Sequence, residues 1–165
     1  MKSELTAERA RELLDYDPET GEFRWKVRRG KQRPGLLAGS VDAKGYVTIR
    51  IDYKLLFAHR VAWLIVTGEW PIFQIDHRDG DKSNNRFANL RTATNSQNQA
   101  NIGLRAHNTS GIKGVSWSRE KQKWEARFRC ENRQYFVGYF NDIREARVAY
   151  QCAIEKYFGE YARAA

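Results

Sequence analysis

Apolar residues follow three different rhythms along this chain. Between Thr6 and Tyr16, Ala10, Leu13 and Leu14 stand in an otherwise charged stretch, and their spacing predicts a short amphipathic helix. Asp17 to Gly21 predicts a turn, and Glu22 to Val27 a strand. From Gly45 to Ile51 the rhythm becomes twofold. Tyr46, Thr48 and Arg50 fall on one side and Val47, Ile49 and Ile51 on the other, as in a half-buried strand. Residues 53–57 are expected to pair with it. Residues 58–67 are almost continuously apolar and predict a buried helix, closed by Gly68 and followed by Pro71.

From Phe73 to Arg91 periodicity is lost, and Asp-Gly-Asp and Asn-Asn interrupt the segment. Residues 95–102 predict a short polar helix with an Asn at its cap. Residues 103–110 carry no pattern and read as a linker. Twofold alternation then returns. Trp124, Ala126 and Phe128 oppose Lys123, Glu125, Arg127 and Arg129. Tyr135 and Val137 oppose Gln134 and Phe136. Asp142 with Glu145 predicts a capping box. The helix behind it should reach Phe158 and end at Gly159, with Ala146, Ala149, Ala153 and Tyr157 as its buried stripe.

Composition narrows the field. The 165 residues suffice for one mid-sized domain or two small ones, and 41% hydrophobic with 30% charged residues describes a soluble globular chain. No apolar run of about 18 residues exists, so no membrane span is expected, and the start, Met1-Lys2-Ser3-Glu4, leads into a charged helix and lacks the apolar stretch of a signal peptide. Cys130 and Cys152 allow at most one disulfide and no zinc site, which fits a reducing cytoplasm. P-loop and GxGxxG motifs are absent. The net charge of +9 points to a polyanionic partner. The charge is densest in residues 104–165, where 12 Lys and Arg face 7 Asp and Glu. A basic loop (Arg28, Arg29, Lys31, Arg33) fits either a solvated loop or a phosphate contact.

The most specific chemistry lies at residues 75–81, Ile-Asp-His-Arg-Asp-Gly-Asp. Hydrolysis of a phosphodiester needs a base for the attacking water and a positive charge for the departing oxygen. A neutral His can be the base. A divalent cation on hard oxygen ligands can supply the charge. Neighbouring residues on a strand point opposite ways. Asp76 can therefore face a helix carrying Asn98 while His77 projects towards substrate. Asp79, Asp81, Asn84 and Asn85 also suggest a calcium loop, but Asn84 and Leu90 stand where the EF-hand pattern requires Gly and Glu. Asn85 and Asn89 fit turn or cap roles equally well, and His59 reads as a helix-start or packing residue.

Asp76-His77, Asn84-Asn85-Arg86, Asn89-Leu90-Arg91, Asn95 and Gln97-Asn98 together resemble the HNH endonuclease motif, in the variant with Asn in the final position. The helix Ala58-His59-Arg60-Val61-Ala62-Trp63 resembles the one preceding it in phage and intron-encoded members. The resemblance implies a ββα-metal unit, with a hairpin near 74–92 and a helix from Asn95. It makes His77 the general base and Asp76 and Asn98 the ligands of one metal. Asn89 would be the tie that keeps His77 in register. Oxygen ligands favour Mg²⁺ or Mn²⁺.

Gly114-Val115, Lys123-Trp124, Val137-Gly138-Tyr139-Phe140 and the Ala-rich helix resemble an AP2 DNA-binding domain, three antiparallel strands backed by one helix. That resemblance implies that the open face of the sheet enters the major groove of duplex DNA, where Arg reads guanine edges and Lys meets phosphate. The matching positions are Lys113, Lys123, Arg129, Gln134 and Phe136, with Arg119 and Arg127 beside them. Ser116 and Gln134 stand where plant members favour Arg, and Phe136 where they favour Trp, so base preference does not carry over.

The expectation is thus an α+β chain with a nuclease domain at 1–102, a linker at 103–110 and a DNA-binding domain at 111–165. It would act as a monomer that nicks, or as a dimer, on a phage or homing-type pattern. A non-catalytic DNA-binding regulator and a structure-specific nuclease are the rival readings.

Overall fold

The computed structural model describes residues 4–28, 30–104 and 106–163. Residues 1–3 of the chain start and Arg29 of the basic loop lie outside them. The chain forms two compact units, residues 1–92 and 93–165.

In the first unit, helix α1 (Ala7–Leu13) is capped by Thr6, whose hydroxyl accepts from the Arg9 backbone N–H. The predicted helix to Tyr16 stops early, because Leu14 turns extended and begins β1 (Leu14–Tyr16). Its antiparallel partner is β2 (Phe23–Trp25), with Leu14 opposite Trp25. Leu13 and Leu14 are both buried, one on a helix face and the next on a strand face. The reversal is set by Asp17, whose carboxylate accepts from the Glu19 N–H and the Thr20 hydroxyl. Gly21 ends the turn at φ +76, and a Cβ there would lie 2.5 Å from the Arg86 nitrogen. Only glycine lets this turn approach the segment that follows the proposed site.

Strands β3 (Ser40–Val41), β4 (Val47–Ile51) and β5 (Lys54–Phe57) form an antiparallel sheet in that order. Strand β3 has only two residues, too few to show an alternation. The β4–β5 turn uses Asp52 and Tyr53 at positive φ, the geometry a two-residue hairpin requires. Helix α2 (Ala58–Thr67) follows directly and closes at Gly68, whose N–H reaches the Leu64 carbonyl. Ile49, Ile51, Val61 and Leu64 are fully buried with Leu13, Phe23 and Trp25 around them. Strands β6 (Gln74–His77) and β7 (Leu90–Ala93) then pair in a two-stranded sheet, so the aperiodic segment contains a hairpin. Ile75, Asp76 and His77 are all buried, and burial on both faces explains why no alternation shows.

In the second unit, α3 (Asn95–Asn101) is capped by Thr94 rather than by an Asn. Thr94 accepts from the Gln97 N–H while the Gln97 side chain accepts from the Thr94 N–H. Strands β8 (Val115–Ser118), β9 (Lys123–Cys130) and β10 (Arg133–Phe140) form an antiparallel sheet in the order β10-β9-β8. A bulge between Phe136 and Gly138 shifts the register of β10. Helix α4 (Ile143–Phe158) starts at Asp142, whose carboxylate accepts from the Arg144 N–H. Its buried stripe is Ala146, Tyr150, Ile154 and Phe158, a fourfold repeat. Ala149 and Ala153 are only half-buried, and Tyr157 is exposed. The small side chains thus flank the interface, while Tyr150 and Ile154 pack against Val115, Ala126 and Phe128. Gly114 has φ +70, and a Cβ there would sit 2.0 Å from the Tyr150 ring. Ala100 of α3 joins this second core. Cys130 and Cys152 are both free thiols. No helix among the described residues is long and apolar enough to cross a membrane.

Candidate active site and basic sheet face

Asp76 and His77 are consecutive on β6 and turn to different partners. Arg91 on β7 donates through Nε and Nη2 to Asp76 Oδ2, both at 2.9 Å, and both residues are only 5% exposed. One carboxylate oxygen is thereby fixed by a buried guanidinium, and the plane of the carboxylate is set with it. Arg91 went unread as a site residue, although the Asn89-Leu90-Arg91 run named it.

His77 Nε2 lies 3.4 Å from Asn85 Oδ1. The Asn85 amide nitrogen donates to the Ser83 carbonyl at 3.1 Å, which identifies Oδ1 as its acceptor end. A neutral His77 with its hydrogen on Nε2 can donate to that oxygen. Burial pushes the His77 imidazole below its ordinary value, although the Asn85 contact and the carboxylates of Asp79, Asp76 and Asp81 pull it upward. At neutral pH the ring is the unprotonated form a base requires.

Asn89 ties down the intervening loop. Its amide nitrogen donates to Asp79 Oδ1 at 3.0 Å and to the Asn84 carbonyl at 2.9 Å, and its Oδ1 accepts from the Asp79 N–H at 3.1 Å. Its backbone carbonyl takes the Arg78 N–H. The Asp79 and Asp81 carboxylates that suggested a calcium loop hold neighbouring groups instead: Asp81 N–H and the Asn84 amide at Asp79, and Ser83 at Asp81. These Asx turns shape the segment that carries the chain from His77 back to Arg91.

His59, in the first turn of α2, is 6% exposed. Its ring meets His77 edge to face, with centroids 5.0 Å apart, and stacks on Phe57. Tyr46 closes the cluster on β4's side.

In the second unit, Asn98 lies within α3, its backbone N–H bonded to the Thr94 carbonyl. The sheet's outward positions match the alternation. Arg127 pairs across from Phe136, Arg129 from Gln134, and Lys123 from Ser118. Arg127, Arg129, Lys123, Gln134 and Phe136 are exposed, as is Arg119 in the β8–β9 turn. Arg127 is paired with Glu125, and the Gln134 amide oxygen, once correctly oriented, accepts from the same guanidinium at 2.7 and 3.2 Å. Lys113 is placed otherwise. Its ammonium donates to the carbonyls of Ala100 and Ile102 and approaches that of Gln99. It neutralises the C-terminal end of α3 rather than joining the sheet face. Trp117 shares the helix side of the sheet with Trp124, at an edge where it stays partly exposed.

A family model of HNH endonucleases matches residues 56–100. Protein 3.8 of Escherichia phage T7 is 37% identical over 84 residues, which are 50% of this chain and 69% of that protein. The chain belongs to the same family as Protein 3.8, and it carries an HNH endonuclease domain. No solved structure matches it.

HNH nucleases use a divalent metal. Among the described residues no group of three or more His, Cys, Asp or Glu could hold one. The two residues that the HNH resemblance makes ligands, Asp76 and Asn98, carry oxygen donors, a carboxylate and an amide. That chemistry fits a hard cation.

Proposed function

We propose that this protein is a metal-dependent HNH endonuclease that hydrolyses a phosphodiester of duplex DNA, one strand per encounter. The observation that carries the reading is the buried His77. Its Nε2 faces Asn85 Oδ1, and it follows directly on a carboxylate held by Arg91.

In this mechanism His77 accepts the proton of the attacking water. By the family resemblance Asp76 and Asn98 would each offer a hard oxygen to Mg²⁺ or Mn²⁺, and such a cation, when bound, would stabilise charge on the departing 3′ oxygen. Arg91 holds the Asp76 carboxylate in place through two hydrogen bonds. Asn89 fixes the loop so that His77 holds its direction. Precise support of this kind matters because a displacement of about 1 Å costs on the order of a hundredfold in rate.

The second unit is read as an AP2-like module that binds duplex DNA through Lys123, Arg119, Arg127, Arg129, Gln134 and Phe136. Support comes from the outward positions of β9, where Lys123, Arg127 and Arg129 outnumber Glu125, and from the sheet backed by α4. Lys113, engaged at the end of α3, is left out of that surface. Incubation with supercoiled plasmid and Mg²⁺, with and without chelator, tests the reading. Metal-dependent conversion to open circle supports it, and intact plasmid at every metal and protein concentration overturns it.

A further inference from the structure

His59 is unlike the other members of its cluster. Phe57 and Tyr46 contribute rings that pack. A phenyl ring at position 59 would satisfy the same stacking on Phe57 and the same edge-to-face contact with His77. The imidazole instead carries a buried Nδ1 with no protein partner. A buried polar atom left unpaired opposes folding and calls for an explanation outside packing. Burial, with His77 and Arg60 nearby, pushes this imidazole down to about 3, so the ring is neutral at any working pH. A neutral imidazole offers one donor and one acceptor nitrogen. The ring sits edge to face against the group assigned as general base, 5.0 Å between centroids, so the unpaired nitrogen belongs to a ring in direct contact with that group.

We propose that His59 is a further catalytic residue of the nuclease centre, whose Nδ1 accepts a hydrogen bond from the water that His77 deprotonates. The water has two hydrogens. One goes to His77 as the bond to phosphorus forms, and His59 holds the other, which remains on the oxygen. No proton is lost to His59, in keeping with its neutral state. The two imidazoles thereby aim a lone pair of the water at the phosphorus. The inference rests on His77 as the base.

Three variants test it on supercoiled plasmid under saturating Mg²⁺, with thermal stability and DNA affinity measured alongside. His59→Phe keeps the ring without its nitrogens, and His59→Asn keeps a polar atom close to the Nδ1 position. His59→Leu has nearly the shape of Asn without its polarity. The expected result is a fall in kcat for H59F of about ten- to a hundredfold, the scale of a misplaced reactant. KM and DNA affinity should be unchanged and the melting temperature no lower. H59N should cut at least ten times faster than H59L, a comparison that stands even if H59F does not fold. H59F cutting at the wild-type rate, or H59N no better than H59L, would overturn the inference while the wild type still nicks. Loss of the underlying reading looks different: either the wild type does not cut, or His77→Ala cuts as well as the wild type, and the inference then falls with it.

Discussion

Arg91 holds Asp76 by two nitrogens on one oxygen, and both side chains are almost fully removed from solvent. A buried pair of this kind adds little net stability over apolar residues, but breaking it leaves an uncompensated charge. Arg91→Ala should therefore destabilise the protein by about 3–5 kcal/mol, read by denaturant unfolding. Arg91→Lys should recover only part of that, because a single ammonium cannot reproduce the planar fork. A cost under about 1 kcal/mol for Arg91→Ala would mean that the carboxylate is solvated.

Asn89 reaches three groups of the 78–84 loop with one amide. Asn89→Ala should lower single-turnover cleavage by about ten- to a hundredfold through loss of His77 alignment. Duplex affinity should stay within about twofold, since the cations of the second unit are untouched. Equal losses in affinity and rate would place Asn89 in the interface instead of behind the base.

How much of this was legible in the sequence depends on how each residue is buried. The β4–β5 hairpin and β9 announced themselves because one face is covered and the other wet, so polarity alternates. The β6 strand did not, because Ile75, Asp76 and His77 are covered on both sides, and only the resemblance of the Asp-His-Asn run to a known motif exposed it. The stripe of α4 was misread by one position per turn. The Ala residues suggested close packing, yet Tyr150 and Ile154 fill the interface and Gly114 makes the room that Tyr150 needs. Lys113 looked like a phosphate contact because a lysine's charge is visible in sequence and the carbonyls of a helix end are not. Arg91 and Asn85 were visible as letters, but their partners lie 15 and 8 residues away and needed coordinates.

Acid should weaken the first unit in a predictable direction. His59 and His77 are both held below the ordinary imidazole value when folded. The unfolded chain binds their protons first as pH falls. The stabilisation is thus complete above about pH 6.5 and is lost progressively below it, for His59 down to about 3. The slope reaches about 1.4 kcal/mol per pH unit for each proton taken up on unfolding. Melting temperatures between pH 7 and 4 check this. His59→Phe should flatten the decline, and an identical slope in that variant would contradict the burial argument.

Arg129 projects from the outward side of β9 opposite Gln134. If it reads a base edge, Arg129→Ala should cost about 1–3 kcal/mol in duplex binding and relax sequence preference. Full-length binding should also weaken steeply with salt, because each phosphate contact releases counterions. Titrations by fluorescence anisotropy at two salt concentrations measure both. Affinity indifferent to salt would remove the groove-reading account of the second unit.

The most direct test of the central claim is plasmid nicking by the wild type and by His77→Ala, in Mg²⁺ and in chelator, with duplex affinity measured in parallel. The account expects open circle from the wild type only with metal. It expects a loss of at least about a hundredfold in His77→Ala, the scale of a missing general base, with DNA binding retained. Cleavage by His77→Ala at the wild-type rate would contradict it.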